Sequence, residues 1–313
     1  MIVELPDTTT SKITKRIVKM REQGGVVALG RVLTLVVITK RGREEEAIEA
    51  ANLASREHPC RIIVLAAGSP EDKTCLDAEI RVGGDAGASE VIVLRGSGEL
   101  AVESESVLSA LLLPDAPIVA WWHTEAPASP SKSAVGRIAH RRITDSANSV
   151  DPRDALEHIA QTYADGDTDL AWTRLTNWRV QLAAALDQYD GSDPITGLQV
   201  EGASDSPSTL LLAAWLHRAL NVPITVTEDP SGTGIRRVVM ERLNGNVELI
   251  RPGALEATLI QPGQPEQKIS LPRRSLQDCL AEELRRLDPD LVFGEVITLG
   301  LPKLLAEEKV VKA

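Results

Sequence analysis

The chain has 313 residues, 25% of them charged, and a formal net charge of −11. That length holds two domains with separate cores, and 43% hydrophobic residues is the content of a folded chain rather than a disordered one. The acidic balance argues against binding a phosphate backbone, which needs clustered lysine and arginine, so nucleic acid is not an expected partner.

The first residues through Thr10 are polar and read as a mobile start. A helix then carries Ile13, Ile17, Val18 and Met20 and stops at Gly24-Gly25, a strong terminator. Val26 to Thr39 is β-branched and predicts a long strand, followed by a helix from Arg43 to Glu57 with an acidic outer face. Cys60 to Ala67 and Glu90 to Leu94 are continuous apolar runs, the pattern of strands buried on both faces, and Ala78 to Val82 is a candidate edge strand. A helix over Glu99 to Leu112 and a strand over Ile118 to Trp122 complete a doubly wound, mostly parallel α/β domain.

Beyond a Pro127 and Pro130 loop, Arg141 to Asp145 and a helix over Pro152 to Tyr163 lead to a boundary near Ala164-Asp-Gly-Asp-Thr168, giving domains 1–165 and 166–313. The second domain opens as another α/β unit, with a strand at Leu198 to Val200 and a helix capped by Ser206 with Pro207 in its first turn. It changes character from Arg236: Leu243-Asn-Gly-Asn-Val247 is a hairpin signal, strand-like runs flank Gln261-Pro-Gly-Gln, and the sum is an antiparallel β meander. A last helix carries Leu276, Leu280, Leu284 and Leu287, and the polar tail from Leu304 to Ala313 reads as frayed.

No run of about 20 apolar residues exists and the N-terminus lacks the charged-then-apolar order of a secretory signal, so a cytoplasmic protein with no membrane partner is expected. Cys60, Cys75 and Cys279 form no Cys-x-x-Cys spacing, and His58, His123, His140, His158 and His217 no His-x-x-x-His spacing, so no metal is expected. Gly96-Ser-Gly98-Glu-Leu-Ala101 between a predicted strand and helix has the form of a dinucleotide turn. Glu99, Glu103 and Glu105 put carboxylates where the helix terminus would attract phosphate, which favours a plain tight turn and no cofactor. Gly202-Ala-Ser204-Asp-Ser206 approaches a nucleophile elbow, but Ser206 replaces the final glycine and is better used as a helix cap. No catalytic residues are assigned.

The chain contains only five tryptophans, two tyrosines and one phenylalanine, and two of the tryptophans fall in Asp169-Leu-Ala-Trp-Thr-Arg-Leu-Thr-Asn-Trp-Arg179. On a helix, Ala171, Leu175, Trp178, Leu182 and Leu186 share one arc, flanked by Arg174 and Ala185 on one side and by Trp172 and Arg179 on the other. Tryptophan and arginine are over-represented among interface hot spots, so Trp172, Arg174, Trp178 and Arg179 are candidate partner-binding residues; a core helix with snorkelling arginines has the same pattern. Trp121, Trp122 and His123 at a strand end are further candidates, since adjacent strand residues face opposite ways and one ring can face a partner. Arg137, Arg141 and Arg142, with His140, and Arg236 with Arg237 beside Ser231-Gly-Thr-Gly234, are basic clusters in an acidic chain: possible anion sites, or solvated charge.

The Asp169 to Arg179 segment resembles the signature of the glucose-6-phosphate dehydrogenase assembly proteins, the OpcA family of actinobacteria and cyanobacteria. Pro117-Ile-Val-Ala-Trp-Trp-His123, Arg141-Arg-Ile-Thr-Asp-Ser146 and the run from Leu198-Gln-Val-Glu-Gly202 to Leu210-Leu-Leu-Ala-Ala-Trp-Leu216 are similar to that family in order and spacing. The resemblance implies a protein that is not an enzyme. It implies an allosteric activator that binds the first dehydrogenase of the NADPH-producing oxidative pentose phosphate pathway and favours its active oligomeric form. The alternative, from the arginine clusters, is an α/β sensor that binds a sugar phosphate or nucleotide and reports it to a partner.

Overall fold

The computed structural model describes residues 1–24, 32–82, 90–187, 193–203, 205–229 and 232–312. The fold is α/β and falls into two compact units. One comprises Met1–Asp145, Ala164–Thr168 and Leu276–Pro289, the other Ser146–Tyr163, Asp169–Ser275 and Asp290–Ala313.

The first unit is built on β2 (Leu33–Lys40), β3 (Cys60–Ala67) and β5 (Glu90–Ser97), whose apolar runs are buried along almost their whole length. Strands buried on both faces suit a parallel sheet, and β3 pairs in parallel with β2 and β5. β6 (Ile118–Trp122) and β7 (Arg141–Thr144) extend the parallel set beyond β2. With β1 (Ile2–Leu5), β4 (Cys75–Arg81) and β8 (Asp167–Asp169), the sheet order is β1-β4-β5-β3-β2-β6-β7-β8. One face meets α1 (Thr10–Gly24) and α3 (Glu105–Ser109), where Ile13, Ile17, Val36, Ile63, Ile92, Leu108 and Trp122 form one core. On β2 and β3, the alternate residues Leu35, Val37, Ile62 and Val64 are buried too, and α2 (Glu44–Ala54) packs against both strands and against α8 (Leu276–Arg285).

Three expectations change here. The start of the chain is not mobile: β1 pairs antiparallel with β4, setting Ile2 opposite Arg81 and Leu5 opposite Ala78, and Val3 and Leu5 reach the core at strand spacing. This places Ala78 to Arg81 inside the sheet, paired on both sides, rather than at its edge. The helix expected over Glu99 to Leu112 shortens to a one-turn 3₁₀ segment at Gly98–Leu100 and to α3, because Glu103 turns inward to accept a hydrogen bond from Trp122 Nε1 at 2.6 Å. Gly25 and the Val26 to Arg31 part of the predicted strand lie outside the described residues.

The second unit opens with α4 (Pro152–Thr162), whose N-cap Asp151 accepts from Asp154 N at 3.0 Å with Pro152 in the first turn. α5 (Leu170–Thr173) and α6 (Thr176–Asp187) follow, so the helix expected through Leu186 is broken at Arg174-Leu175. β9 (Ile195–Gly202), α7 (Pro207–Leu220) and β10 (Ile224–Glu228) make a parallel β-α-β crossover. The predicted meander is β11 (Ile235–Arg242), β12 (Val247–Ile250), β13 (Glu256–Ile260) and β14 (Gln267–Ser270), all antiparallel, in the order β10-β9-β11-β12-β13-β14. The chain ends on α9 (Leu291–Glu295), a π turn at Val296–Gly300, and α10 (Leu301–Lys312). The expected frayed tail is therefore helical, held by Leu301 and Leu304, which are buried in this unit's core.

Candidate partner-binding site

The signature segment is a structural centre of the second unit. Asp169 is fully buried and caps α5: Oδ1 accepts from Ala171 N and Ser146 Oγ, and Oδ2 from Ser146 N, all at 2.8 Å. This joins two of the motifs that are separate in sequence. Trp172 donates from Nε1 to Asp290 Oδ2 at 2.8 Å, while Asp290 Oδ1 accepts from Phe293 N and starts α9. The Trp172 ring packs on Phe293 at 5.8 Å between centroids, and Phe293 meets Tyr163 edge-on at 6.0 Å. Arg179 places its guanidinium 3.8 Å from the Trp172 centroid. Ser208 Oγ and Arg274 Nη1 donate to the carbonyls of Ala171 and Thr173, tying α7 and the strand-to-helix loop to the same segment.

The helical arc read from the sequence faces the core: Ala171, Leu175, Trp178, Leu182 and Ala185 are buried, and Leu186 is partly so. Trp172 and Trp178 are at most 2% exposed, so within this unit they pack and do not project. Arg174, Asn177, Arg179 and Gln181 are partly exposed and Val180 is 58% exposed, and these carry the accessible side of the segment.

Trp121, Trp122 and His123 are also enclosed in the first unit. Alternation holds, with Trp122 in the α1 and α3 core. Trp121 meets the His123 ring edge-on at 5.2 Å, and its Nε1 has no hydrogen-bond partner among the described residues. His123 Nδ1 lies 3.2 Å from Thr39 Oγ1, with Glu46 3.8 Å from Nε2. Burial pushes the His123 imidazole below its ordinary range, against the opposing pull of Glu46.

The arginine clusters are mostly spent on internal pairs. Arg141 donates to Glu283 at 2.5 Å and to the Asp288 carbonyl at 2.9 Å, and Arg142 bonds Asp167 and the Ala139 and Asp165 carbonyls; both arginines are buried. Arg236 meets Asp229 at 3.2 Å, Arg237 meets Glu248 at 2.7 Å, and exposed Arg137 donates to the Lys132 carbonyl. Ser204 and Ser231 lie outside the described residues.

The Gly96 and Gly98 turn serves the sheet. Gly98 has φ +60, and a Cβ there would stand 2.6 Å from Thr74 N, so only glycine fits. Glu99 N is taken by Thr74 Oγ1, which leaves the turn closed on β4 rather than open to a pyrophosphate. At the start of α2, Glu44 likewise turns back onto Gly42 N; burial pushes its carboxyl up, but hydrogen bonds from its own backbone N–H, from Arg95 and from Gly42 N together hold it below the usual range.

Sequence reasoning passed over Trp215, whose ring is partly exposed whereas the other four tryptophans are closed in. It lines a shallow cleft with Ala219, Val292 and Val296, rimmed by the Arg218–Glu295 pair at 2.7 Å. The run Leu210-Leu-Leu-Ala-Ala-Trp-Leu216 contains one ring just outside an apolar stripe, which is the signal that could have singled it out.

Residues 51–161 match the family description "Glucose-6-phosphate dehydrogenase subunit N-terminal domain" and residues 165–297 match its C-terminal domain. The chain belongs to the OpcA family. The two OpcA matches run in chain order and take in the Trp121-Trp122-His123 end and the whole Asp169 to Arg179 segment. No curated protein sequence matches. Among solved structures, an oxidoreductase from Sinorhizobium meliloti aligns with TM-score 0.47 at 10% identity, over 88% of this chain and 96% of that one. A glucose-6-phosphate 1-dehydrogenase from Mycobacterium avium aligns with TM-score 0.44 at 13% identity, over 87% and 92%. A Gfo/Idh/MocA family oxidoreductase from Vibrio cholerae aligns with TM-score 0.43 at 7% identity, over 88% and 99%. Among the described residues, no helix is long and apolar enough to cross a membrane, and no group of three or more His, Cys, Asp or Glu could hold a metal ion.

Proposed function

We propose that the protein is a non-catalytic assembly factor that binds glucose-6-phosphate dehydrogenase in the cytoplasm and activates it by stabilising its active oligomer. The observation that carries this reading is the OpcA match over both domains, with the signature segment inside it. The physics is linkage. A partner that binds the assembled dehydrogenase a thousandfold more tightly than the inactive form shifts the equilibrium by about 4 kcal/mol, with no chemistry of its own.

In this reading the buried rings present a surface rather than touch the partner. Trp172 and Trp178 fix α5 and α6 so that Arg174 and Arg179 stand at the accessible edge, and Trp121, Trp122 and His123 set the end of β6 in the first unit. Arginine suits such an edge because its planar fork pairs with carboxylates at low entropic cost.

The test is light scattering and dehydrogenase activity for the purified enzyme from the same organism, with and without this protein. A larger complex with raised activity is the expected result. Two folded proteins that neither associate nor change activity would overturn the proposal. The alternative reading, an α/β sensor for a sugar phosphate or nucleotide, has one support in the second unit: a buried arginine, Arg251, with no carboxylate paired to it among the described residues.

A further inference from the structure

Five described arginines are less than a tenth exposed: Arg61, Arg141, Arg142, Arg242 and Arg251. Four of them face a carboxylate. Arg61 meets Glu90 at 2.9 Å, Arg141 meets Glu283 at 2.5 Å, Arg142 meets Asp167, and Arg242 meets Asp193 at 3.6 Å. That is the expected rule, since a buried guanidinium left uncompensated loses its hydration for nothing. Arg251 breaks it. Its side chain donates from Nη2 to the Ile235 carbonyl at 3.1 Å, and its Nε has no hydrogen-bond partner among the described residues. The other charge acting on it is a second cation, Arg273, and burial with that repulsion brings Arg251 down to about 10.

Local geometry brings the two guanidinium groups to one place. Arg251 follows β12, with its backbone N bonded to the Arg236 carbonyl at 2.7 Å, and Arg273 follows β14, with its N bonded to the Ala254 carbonyl at 2.9 Å. Gly234 lies between them in the left-handed region at φ +72, and a Cβ there would stand 3.2 Å from Arg273 Nη1 and 3.9 Å from Arg251 Nη2. The missing side chain lets both guanidinium groups approach the Gly234 backbone. Arg273, Thr233 and the loop from Pro252 to Leu255 are exposed, so the pair borders solvent. Asp229, beside Gly232, is engaged by Arg236.

We propose that Arg251 and Arg273, with Gly234, form an oxyanion site that takes the phosphate group of a small metabolite. A buried cation and an exposed one, with no carboxylate paired to either among the described residues, match a dianion better than a single carboxylate, and guanidinium forks match phosphate oxygens in pairs. The site touches the signature segment, because the Arg251 guanidinium lies 5.0 Å from the centroid of the Trp178 ring. Arg236 and Arg237, the arginines that sequence order placed beside the glycine loop, are on carboxylates instead.

The experiment is calorimetric titration of the full chain with inorganic phosphate at constant ionic strength, with chloride as the balancing ion, and a parallel titration with glucose 6-phosphate. Saturable binding at one site is expected, weakened about tenfold or more in Arg273→Gln, whose exposed position leaves folding intact. Tighter binding of the sugar phosphate means that the sugar is read as well; equal binding means that the phosphate alone is held, and both support the site. Arg251→Met supplies a second readout: in phosphate-free buffer it should melt no lower than the wild type, because it removes a buried charge that no carboxylate among the described residues pairs with, and it should not respond to phosphate. No saturable binding at about 50 mM phosphate, on the order of fifty times a weak 1 mM site, or unchanged binding in Arg273→Gln, would overturn the proposal. The titration uses this chain alone, so its failure would leave the dehydrogenase reading untouched.

Discussion

Arg179 holds its guanidinium carbon 3.8 Å from the centroid of the Trp172 indole, so a partly exposed cation closes over a ring that is itself 1% exposed. The contact has a structural and a functional side, and they separate on mutation. Arg179→Ala should cost about 1 kcal/mol of folding stability, the scale of a half-desolvated cation–π contact, measured by urea unfolding. If the arginines also form the partner edge, Arg179→Ala and Arg174→Ala should each lower dehydrogenase activation in proteins whose circular dichroism is unchanged. Full activation by both variants would reduce the segment to a core helix.

Asp169 makes a sharper demand on the same segment. Its carboxylate serves three donors from a fully buried position, two of them on Ser146 and one at the start of α5. Asp169→Ala leaves those donors without partners, at about 1–3 kcal/mol for each group that water does not reach, so a loss of about 3–5 kcal/mol is expected. Asp169→Asn keeps an acceptor and should lie between. An unfolding free energy from urea denaturation within about 0.5 kcal/mol of the wild type for the alanine variant would contradict the bonding described.

The division between what the sequence shows and what it hides follows the range of the forces. The buried strands Leu33–Lys40, Cys60–Ala67 and Glu90–Ser97 and the meander from Ile235 were legible because runs of apolar residues and turn signals are local. β1 was hidden because four residues become a strand only when β4 offers an open edge 70 residues or more away. The leucine stripe of α8 was visible, but not that it belongs with the first unit, since an apolar face fits any sheet of suitable shape. At the candidate site, residue types were legible and exposure was not: periodicity placed Trp172 and Trp178 on or beside an apolar arc without saying how completely the core closes over them. The internal pairing of the basic clusters was hidden for a related reason. Adjacent arginines such as Arg141-Arg142 stand out in a sequence, whereas Arg251 and Arg273 meet only through the folds of the meander.

Arg141 gives a test of that contrast. Its pair with Glu283 joins β7 to α8 within the first unit, and both side chains are buried. Arg141→Met removes one charge and strands the other, for an expected loss of about 3–5 kcal/mol in chemical denaturation. The double variant Arg141→Met with Glu283→Met should recover a large part of that loss, because the desolvated charges leave together, and the cycle isolates their coupling. A fully stable single variant with weakened anion binding would instead return Arg141 to the ligand-binding role that its sequence position suggests.

His123 supplies the pH dependence. Burial places its folded-state pKa below the ordinary value of 6.5, so the folded protein prefers the neutral ring, which lies 3.2 Å from Thr39 Oγ1. Above pH 6.5 the ring is neutral in both folded and unfolded chains and contributes no pH dependence. As pH falls below 6.5 the unfolded chain takes up a proton that the folded chain refuses, so stability is lost until the folded-state pKa is also passed. His123→Gln keeps a polar group near Thr39 and removes the titration, so its stability should fall less than that of the wild type between pH 7 and pH 5. Denaturation midpoints at intervals across that range check the difference, which cancels the contributions of the other four histidines common to both proteins. Parallel curves for the two proteins would mean that the ring is protonated as easily in the folded state as in the unfolded one, and that its enclosure beside Trp121 carries no electrostatic cost.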